Sequence, residues 1–167
     1  MAYDTFMKVD GVPGESTDAT HKDWVELLGF DHGITQPASA SASTAGGATA
    51  ERCEHRDFAI TKYLDKASPK LYDACCTGKH LKEVLIEMCR AGGDKVKYME
   101  VKMEEVIVSS VQPSGNPKGG DGFPTERVTF NYGKIAWTYT QQKRADGSGG
   151  GNVAAGWSLI ENKAAAA

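Results

Sequence analysis

Val96-Lys97-Tyr98-Met99-Glu100-Val101-Lys102-Met103-Glu104-Glu105-Val106-Ile107-Val108-Ser109-Ser110-Val111 decides the fold class. Its apolar residues recur at period two, the spacing of a strand with one buried face. Met99, Val101, Met103 and Ile107 share one face; Tyr98, Val106 and Val108 share the other. A strand of this length with apolar residues on both faces has two explanations. It bends through a bulge near Glu104 and Glu105, or a second subunit covers one face.

The same change of phase recurs downstream. Val128, Phe130 and Tyr132 lie on one phase, and Ile135, Trp137 and Tyr139 on the other, with Gly133 at the switch. Glycine there fits a bulge or a barrel corner. Long curved strands of this kind suit a closed barrel or two packed sheets. If a neighbour covers one face, Met99, Val101, Met103, Ile135 and Trp137 are the candidate subunit-interface positions.

Other rows extend the mainly β pattern. From Trp24 to Ile34 the even positions carry Trp24, Leu28, Phe30 and Ile34, which predicts a half-buried strand with Asp23, Gly29, Asp31 and Gly33 opposite. Phe58 and Ile60 begin another row, with Asp57, Thr61 and Tyr63 opposite. Leu81 to Arg90 forms a third, turned back into the Val96 strand by Gly92-Gly93-Asp94. One short helix is predicted: Ser68 as its cap, Pro69 in its first turn and Gly78 at its end. Leu71, Ala74 and Cys75 give that helix a narrow apolar stripe. Gln36 to Ala50, Ser114 to Gly122 and Asp146 to Gly151 read as irregular segments. The first is uncharged and built of small residues, with too little apolar surface to offset its ordering entropy.

The chain has 167 residues and a formal net charge of -3, with 19 basic and 22 acidic residues. That length fits one domain, 1–163, with Ala164 to Ala167 as an added or disordered tail. The charges are dispersed, so no basic stripe exists for nucleic acid to bind. Met1 to Lys8 lacks the layout of a signal peptide, and no segment approaches the about 18 apolar residues of a spanning helix. These features predict a protein made in the cytoplasm, without membrane insertion.

Local signatures of chemistry are missing. No nucleophile elbow, phosphate-binding loop or dinucleotide fingerprint occurs. Cys53, Cys75, Cys76 and Cys89, taken with His21, His32, His55 and His80, show no zinc spacing. Cys53, His55 and Asp57 fall on one strand phase and read as a polar, solvent-facing row. Glu104 and Glu105 point to opposite faces, so they form no dyad. No catalytic residue, metal or cofactor is expected.

Three blocks carry a resemblance that spans nearly the whole chain. They are Met1 to Ser16 with its Gly14-Glu15-Ser16 turn, Thr61-Lys62-Tyr63-Leu64-Asp65-Lys66 followed by Ser68-Pro69 and the helix to Gly78-Lys79, and Glu105 to Val111. Together with Gly156-Trp157-Ser158, in this order and spacing, they resemble the Hcp tube proteins of type VI secretion. The resemblance implies a β-barrel of two packed antiparallel sheets with one short helix alongside, assembled as a hexameric ring. Rings would stack into a hollow tube beneath a VgrG-type spike, within a contractile sheath whose contraction expels it. Effector proteins would travel in the lumen, and export would need no signal peptide.

The resemblance also gives the small-residue segment a role, as an extended loop reaching an adjoining ring. Its candidate stacking residues are Gln36, Pro37, Ala38, Ser39, Ser41, Ser43, Gly46, Gly47 and Thr49. Asp31, on the polar phase of the Trp24 row, is the candidate lumen contact for effectors. Two other readings compete: a tail-tube protein of a contractile phage-like device, and a small-molecule-binding barrel or hydrolase. In the latter, Gln36 to Ala50 and Ser114 to Gly122 would frame a pocket.

Overall fold

The computed structural model describes residues 2–37, 51–92, 95–119, 122–143 and 149–167. In chain order its elements are β1 (Tyr3–Val9), β2 (Val25–Leu27), β3 (Gly29–Asp31), β4 (Ile34–Thr35), β5 (Glu54–His55) and β6 (Phe58–Tyr63). Then come α1 (Ser68–Thr77), β7 (His80–Arg90), β8 (Lys97–Ser114), β9 (Thr125–Asn131), β10 (Lys134–Gln142), β11 (Gly149–Ser158) and β12 (Lys163–Ala164).

β8 organises the rest. On one side it pairs with β7. On the other it pairs first with β10, down to Glu104 opposite Lys134, and then with β9, from Ile107 opposite Asn131. β9 and β10 therefore follow one another along the same edge of β8 and part at Tyr132 and Gly133. Glu105 sits at that corner with a left-handed φ of 55°, and the Gly133 N–H is shared between the carbonyls of Glu104 (3.1 Å) and Glu105 (3.2 Å).

This corner settles the two-faced pattern of β8. Before it the buried positions are odd, Val101 and Met103; after it they are even, Val106 and Val108. β9 and β10 change phase in the same way, from Val128 and Phe130 to Ile135. One extra residue turns both apolar sets onto one core, so no neighbour is needed to cover them. Gly133 is required there, because a Cβ would meet Ile160 Cδ1 at 2.7 Å and Glu105 Oε2 at 3.0 Å.

Ten strands form one antiparallel sheet, ordered β12-β11-β10-β8-β7-β1-β2, with β9, β6 and β3 branching from β8. β4 and β5 make a separate two-stranded sheet. The fold is mainly β with one short helix, as expected, but its hydrogen-bonded ladder is not closed as the expected barrel of two packed sheets. It parts at Leu28, which separates β2 from β3 and donates its N–H to Thr61 O (2.8 Å).

The same break overturns the predicted phase of the Trp24 row. Val25 is fully buried and Leu27 packs on the core, while Leu28, Phe30 and Ile34 face outward. The chain turns over at Leu28 and strand alternation restarts beyond it.

α1 lies against β8, burying Ser68, Leu71 and Ala74. Its end is as predicted, with Gly78 left-handed at φ 64° and its N–H on Ala74 O. Its start differs: Ala67 occupies the cap position and Ser68 is the first helical residue. The Ser68 hydroxyl is engaged elsewhere, as described below. Ala164 pairs with Trp157, and the Ala165 N–H reaches Gly156 O at 3.0 Å, so the first alanines of the tail are tied to β11. No described helix is long and apolar enough to cross a membrane.

Candidate functional site

Two buried polar networks brace this fold, and an outward apolar face borders it. The first network joins β6, α1 and β9. Lys62 continues the buried phase of Phe58 and Ile60, and Glu126 that of Val128 and Phe130. Their side chains are both 0 % exposed and meet at 2.5 Å between Lys62 Nζ and Glu126 Oε1. Asp65 adds a second carboxylate to Lys62 at 2.7 Å. The Ser68 hydroxyl donates to Glu126 Oε1 (2.8 Å) and accepts from Lys62 Nζ (3.0 Å) and the Asp65 N–H (3.1 Å).

Tyr72 closes this network by donating to Glu126 Oε2 at 2.5 Å. Burial and the Glu126 carboxylate push the Tyr72 phenol up to about 12. Buried charges survive only when paired and hydrogen-bonded, and these are. The Lys62, Asp65 and Ser68 positions singled out by family resemblance are thus the lock between helix and sheet.

The second network holds the root of the small-residue segment. His32, just before β4, and His55, in β5, both reach the Tyr132 hydroxyl, at 2.6 Å from His32 Nε2 and 2.9 Å from His55 Nδ1. A phenol has one proton and can accept another, so it serves both rings while one donates to it. His55 also stacks on Trp137, and His32 on Phe58. Burial first, then the neighbouring His55, hold His32 below the usual histidine value, opposed by Asp31; burial alone lowers His55.

His55 is therefore packed rather than part of the expected solvent-facing row. Asp57 is likewise engaged, accepting from Ser109 Oγ (2.6 Å) and Asn131 Nδ2 (3.0 Å). Below the two histidines, Gln36 Nε2 bonds Glu51 O, and the Glu51 N–H reaches Pro37 O at 3.2 Å. Of the candidate stacking residues, Gln36 and Pro37 belong to this zipped root. Ala38, Ser39, Ser41, Ser43, Gly46, Gly47 and Thr49 lie outside the described residues.

The expected interface positions divide. Val101, Met103 and Ile135 are 3 %, 0 % and 1 % exposed and belong to this chain's own core, a correction that follows from the Glu105 corner. Met99 and Trp137 are half-buried at its margin. Asp31 is exposed on β3, with Arg127 NH2 at 3.7 Å as its nearest charged partner.

The outward face includes Leu28, Tyr63 and Phe123, which line an open groove of about 510 Å³ with Ser114, Asn116, Pro117, Pro124 and Thr125. Among the described residues its walls carry the Ser114, Thr125 and Tyr63 hydroxyls but no histidine, cysteine or carboxylate. Part of the Ser114 to Gly122 segment, which the competing barrel reading made a pocket wall, lines it, whereas Gln36 and Pro37 are not among its walls.

Sequence reading missed the Lys62–Glu126 pair, although a signal exists: each charge stands in phase with a buried apolar row. The Tyr132 clasp had no local signal, because its three members are separated by 23 and 77 residues.

Comparison with known proteins agrees with this architecture along its length. The sequence model of the family described as "Type VI secretion system effector, Hcp" matches residues 6–139. The "Protein hcp1" of Pseudomonas aeruginosa is 37 % identical over 163 residues, covering 97 % of this chain and 98 % of that protein. The "Major exported protein" of the same organism is 31 % identical over 132 residues, covering 75 % and 74 %. A solved structure of "a type six secretion system protein" superposes with a TM-score of 0.92 at 38 % identity, over 98 % of this chain and 100 % of that one. Hcp1 from Salmonella typhimurium superposes at 0.80 with 30 % identity, over 99 % and 100 %. Matched by the family's sequence model over most of its length and by these relatives nearly end to end, the chain belongs to the Hcp family, the structural tube proteins of the type VI secretion system.

Proposed function

We propose that this chain works as the ring subunit of a type VI inner tube. Six copies close into a ring, and rings stack into a hollow tube. Contraction of the surrounding sheath drives the tube and its VgrG-type spike outward. The subunit reaches the outside by that route, and its work is mechanical rather than catalytic. The observation that carries this reading is the end-to-end superposition on a type six secretion protein at a TM-score of 0.92.

In this proposal the ten-stranded sheet, turned at Glu105 and parted at Leu28, forms the wall of the ring. Met99 and Trp137, half-buried at the core margin, remain the interface positions with surface to offer a neighbour. The segment rooted at Gln36 and Pro37 reaches the adjoining ring. Asp31 faces the lumen and takes part in holding effectors. An Asp31→Arg variant that forms rings yet retains cargo equally well would remove it from that role.

Light scattering and negative-stain imaging of the purified chain test the reading. Six-membered rings are expected. A protein that stays monomeric at high concentration, with no rings in any field, would overturn it.

A further inference from the structure

A third polar cluster lies away from the helix lock and the Tyr132 clasp, between the loop before β2 and the far end of β7. His21, Glu87 and Cys89 are 66 and 68 residues apart in sequence, yet one ligand atom of each falls within 4.8 Å of the others. His21 Nε2 is 2.8 Å from Glu87 Oε2 and 3.9 Å from Cys89 Sγ. We propose that His21 Nε2, Glu87 Oε2 and Cys89 Sγ form a binding site for one divalent transition ion of the zinc type.

The spacing suits such an ion. Zinc bonds of about 2.0 Å to nitrogen and 2.3 Å to sulfur set tetrahedral ligand atoms about 3.5 Å apart. To reach that separation the nitrogen–oxygen pair, at 2.8 Å, opens and the nitrogen–sulfur pair, at 3.9 Å, closes by roughly half an ångström, while the oxygen–sulfur pair, within 4.8 Å, draws in around the ion. Imidazole, carboxylate and thiolate are all ordinary zinc ligands, and three of them leave a fourth position for water.

The surroundings are already arranged as an outer shell. Asp18 Oδ2 accepts from His21 Nδ1 at 2.9 Å, which leaves Nε2 to face Glu87 and Cys89. A carboxylate on the far ring nitrogen is the usual device that orients a metal-bound histidine. Phe6 stacks on the His21 ring at 4.2 Å and Trp24 meets it edge-on at 4.8 Å, fixing its plane. The lysines take the other oxygens: Lys97 lies 3.0 Å from Glu87 Oε1, and Lys95 2.5 Å from Asp18 Oδ1. Each carboxylate thus gives one oxygen to a lysine and one to the histidine side of the cluster.

Binding releases the Cys89 thiol proton to solvent, and the ion replaces the direct contact between His21 Nε2 and Glu87 Oε2. The alternative is a site without metal, in which His21 simply bridges Asp18 and Glu87 by hydrogen bonds.

Cobalt(II) chloride titrated into the chelator-treated chain separates the two. The expected result is one equivalent bound, with a thiolate charge-transfer band in the near ultraviolet and the visible bands of tetrahedral cobalt. A variant keeping only Cys89 (C53S/C75S/C76S) retains the band, whereas C89S loses it. D18N weakens binding about ten- to a hundredfold. Should C89S not fold, the Cys89-only variant and E87Q decide, because the first must keep the band and the second must weaken it. No bound cobalt, a band lost in the Cys89-only variant, or a band abolished by H32Q or H55Q would overturn the site. None of these results depends on whether the chain forms rings.

Discussion

Lys62 and Glu126, the two charged side chains most completely withdrawn from water among the described residues, meet at 2.5 Å between β6 and β9. Removing one partner from a buried pair strands the other charge, at a cost of about 3–5 kcal/mol. Lys62→Met and Glu126→Leu are each expected to destabilise on that scale in urea unfolding. The double variant, with both charges gone, should recover much of the loss. A double variant no better than the singles would show that the pair's shape, not its charge, holds α1.

His32 and His55 predict a dependence on acidity. Both rings are held below their unfolded value of about 6.5. Below that value the unfolded chain takes up protons before the folded one does. Stability is therefore fully present above about pH 6.5 and falls as pH drops through the folded-state values. Unfolding midpoints measured from neutral pH downward should decline, and His32→Gln with His55→Gln should flatten the decline. Asp31, Asp57, Arg56 and Cys53 stand near this clasp and are unchanged in that variant.

Gly14 is packed where a side chain cannot go, since a Cβ would lie 2.3 Å from Trp24 O. The clash is with backbone, so the turn itself must shift. Gly14→Ala should cost about 1–3 kcal/mol, read by thermal unfolding. An unchanged midpoint would mean that the 13–24 loop moves freely against β2.

Met103 distinguishes core from interface. Truncating a buried methionine to alanine costs about 2–5 kcal/mol. Because Met103 packs within its own chain, the loss in Met103→Ala should be the same at dilute and high protein concentration. Phe123→Ser, at an outward position, should change stability by less than about 0.5 kcal/mol.

Much of this fold is legible from local pattern. The phase switches near Glu105 and Gly133 announce a corner, and Ser68-Pro69 with Gly78 bounds the helix to within one residue. What local pattern does not carry is which distant segment supplies a partner. The Trp24 row reads as one alternating strand because nothing in it marks the break at Leu28, whose N–H is claimed by Thr61. The cluster at His21 is silent in local sequence for the same reason: Glu87 and Cys89 arrive from β7. The family resemblance located Lys62, Asp65 and Ser68, but only the packing explains why those residues stand together.

The corner at Glu105 also bears on how the chain is made. Val101 and Val106 reach one core only after residues 131 to 134 have folded back along β8, and those residues leave the ribosome late. Until then an eighteen-residue strand has one long edge unpaired, with apolar side chains on both sides. Folding dominated by such distant pairings is slow, on the order of milliseconds to seconds. The nascent subunit thus passes through a stage in which apolar side chains of β8 stand uncovered before the finished surface exists.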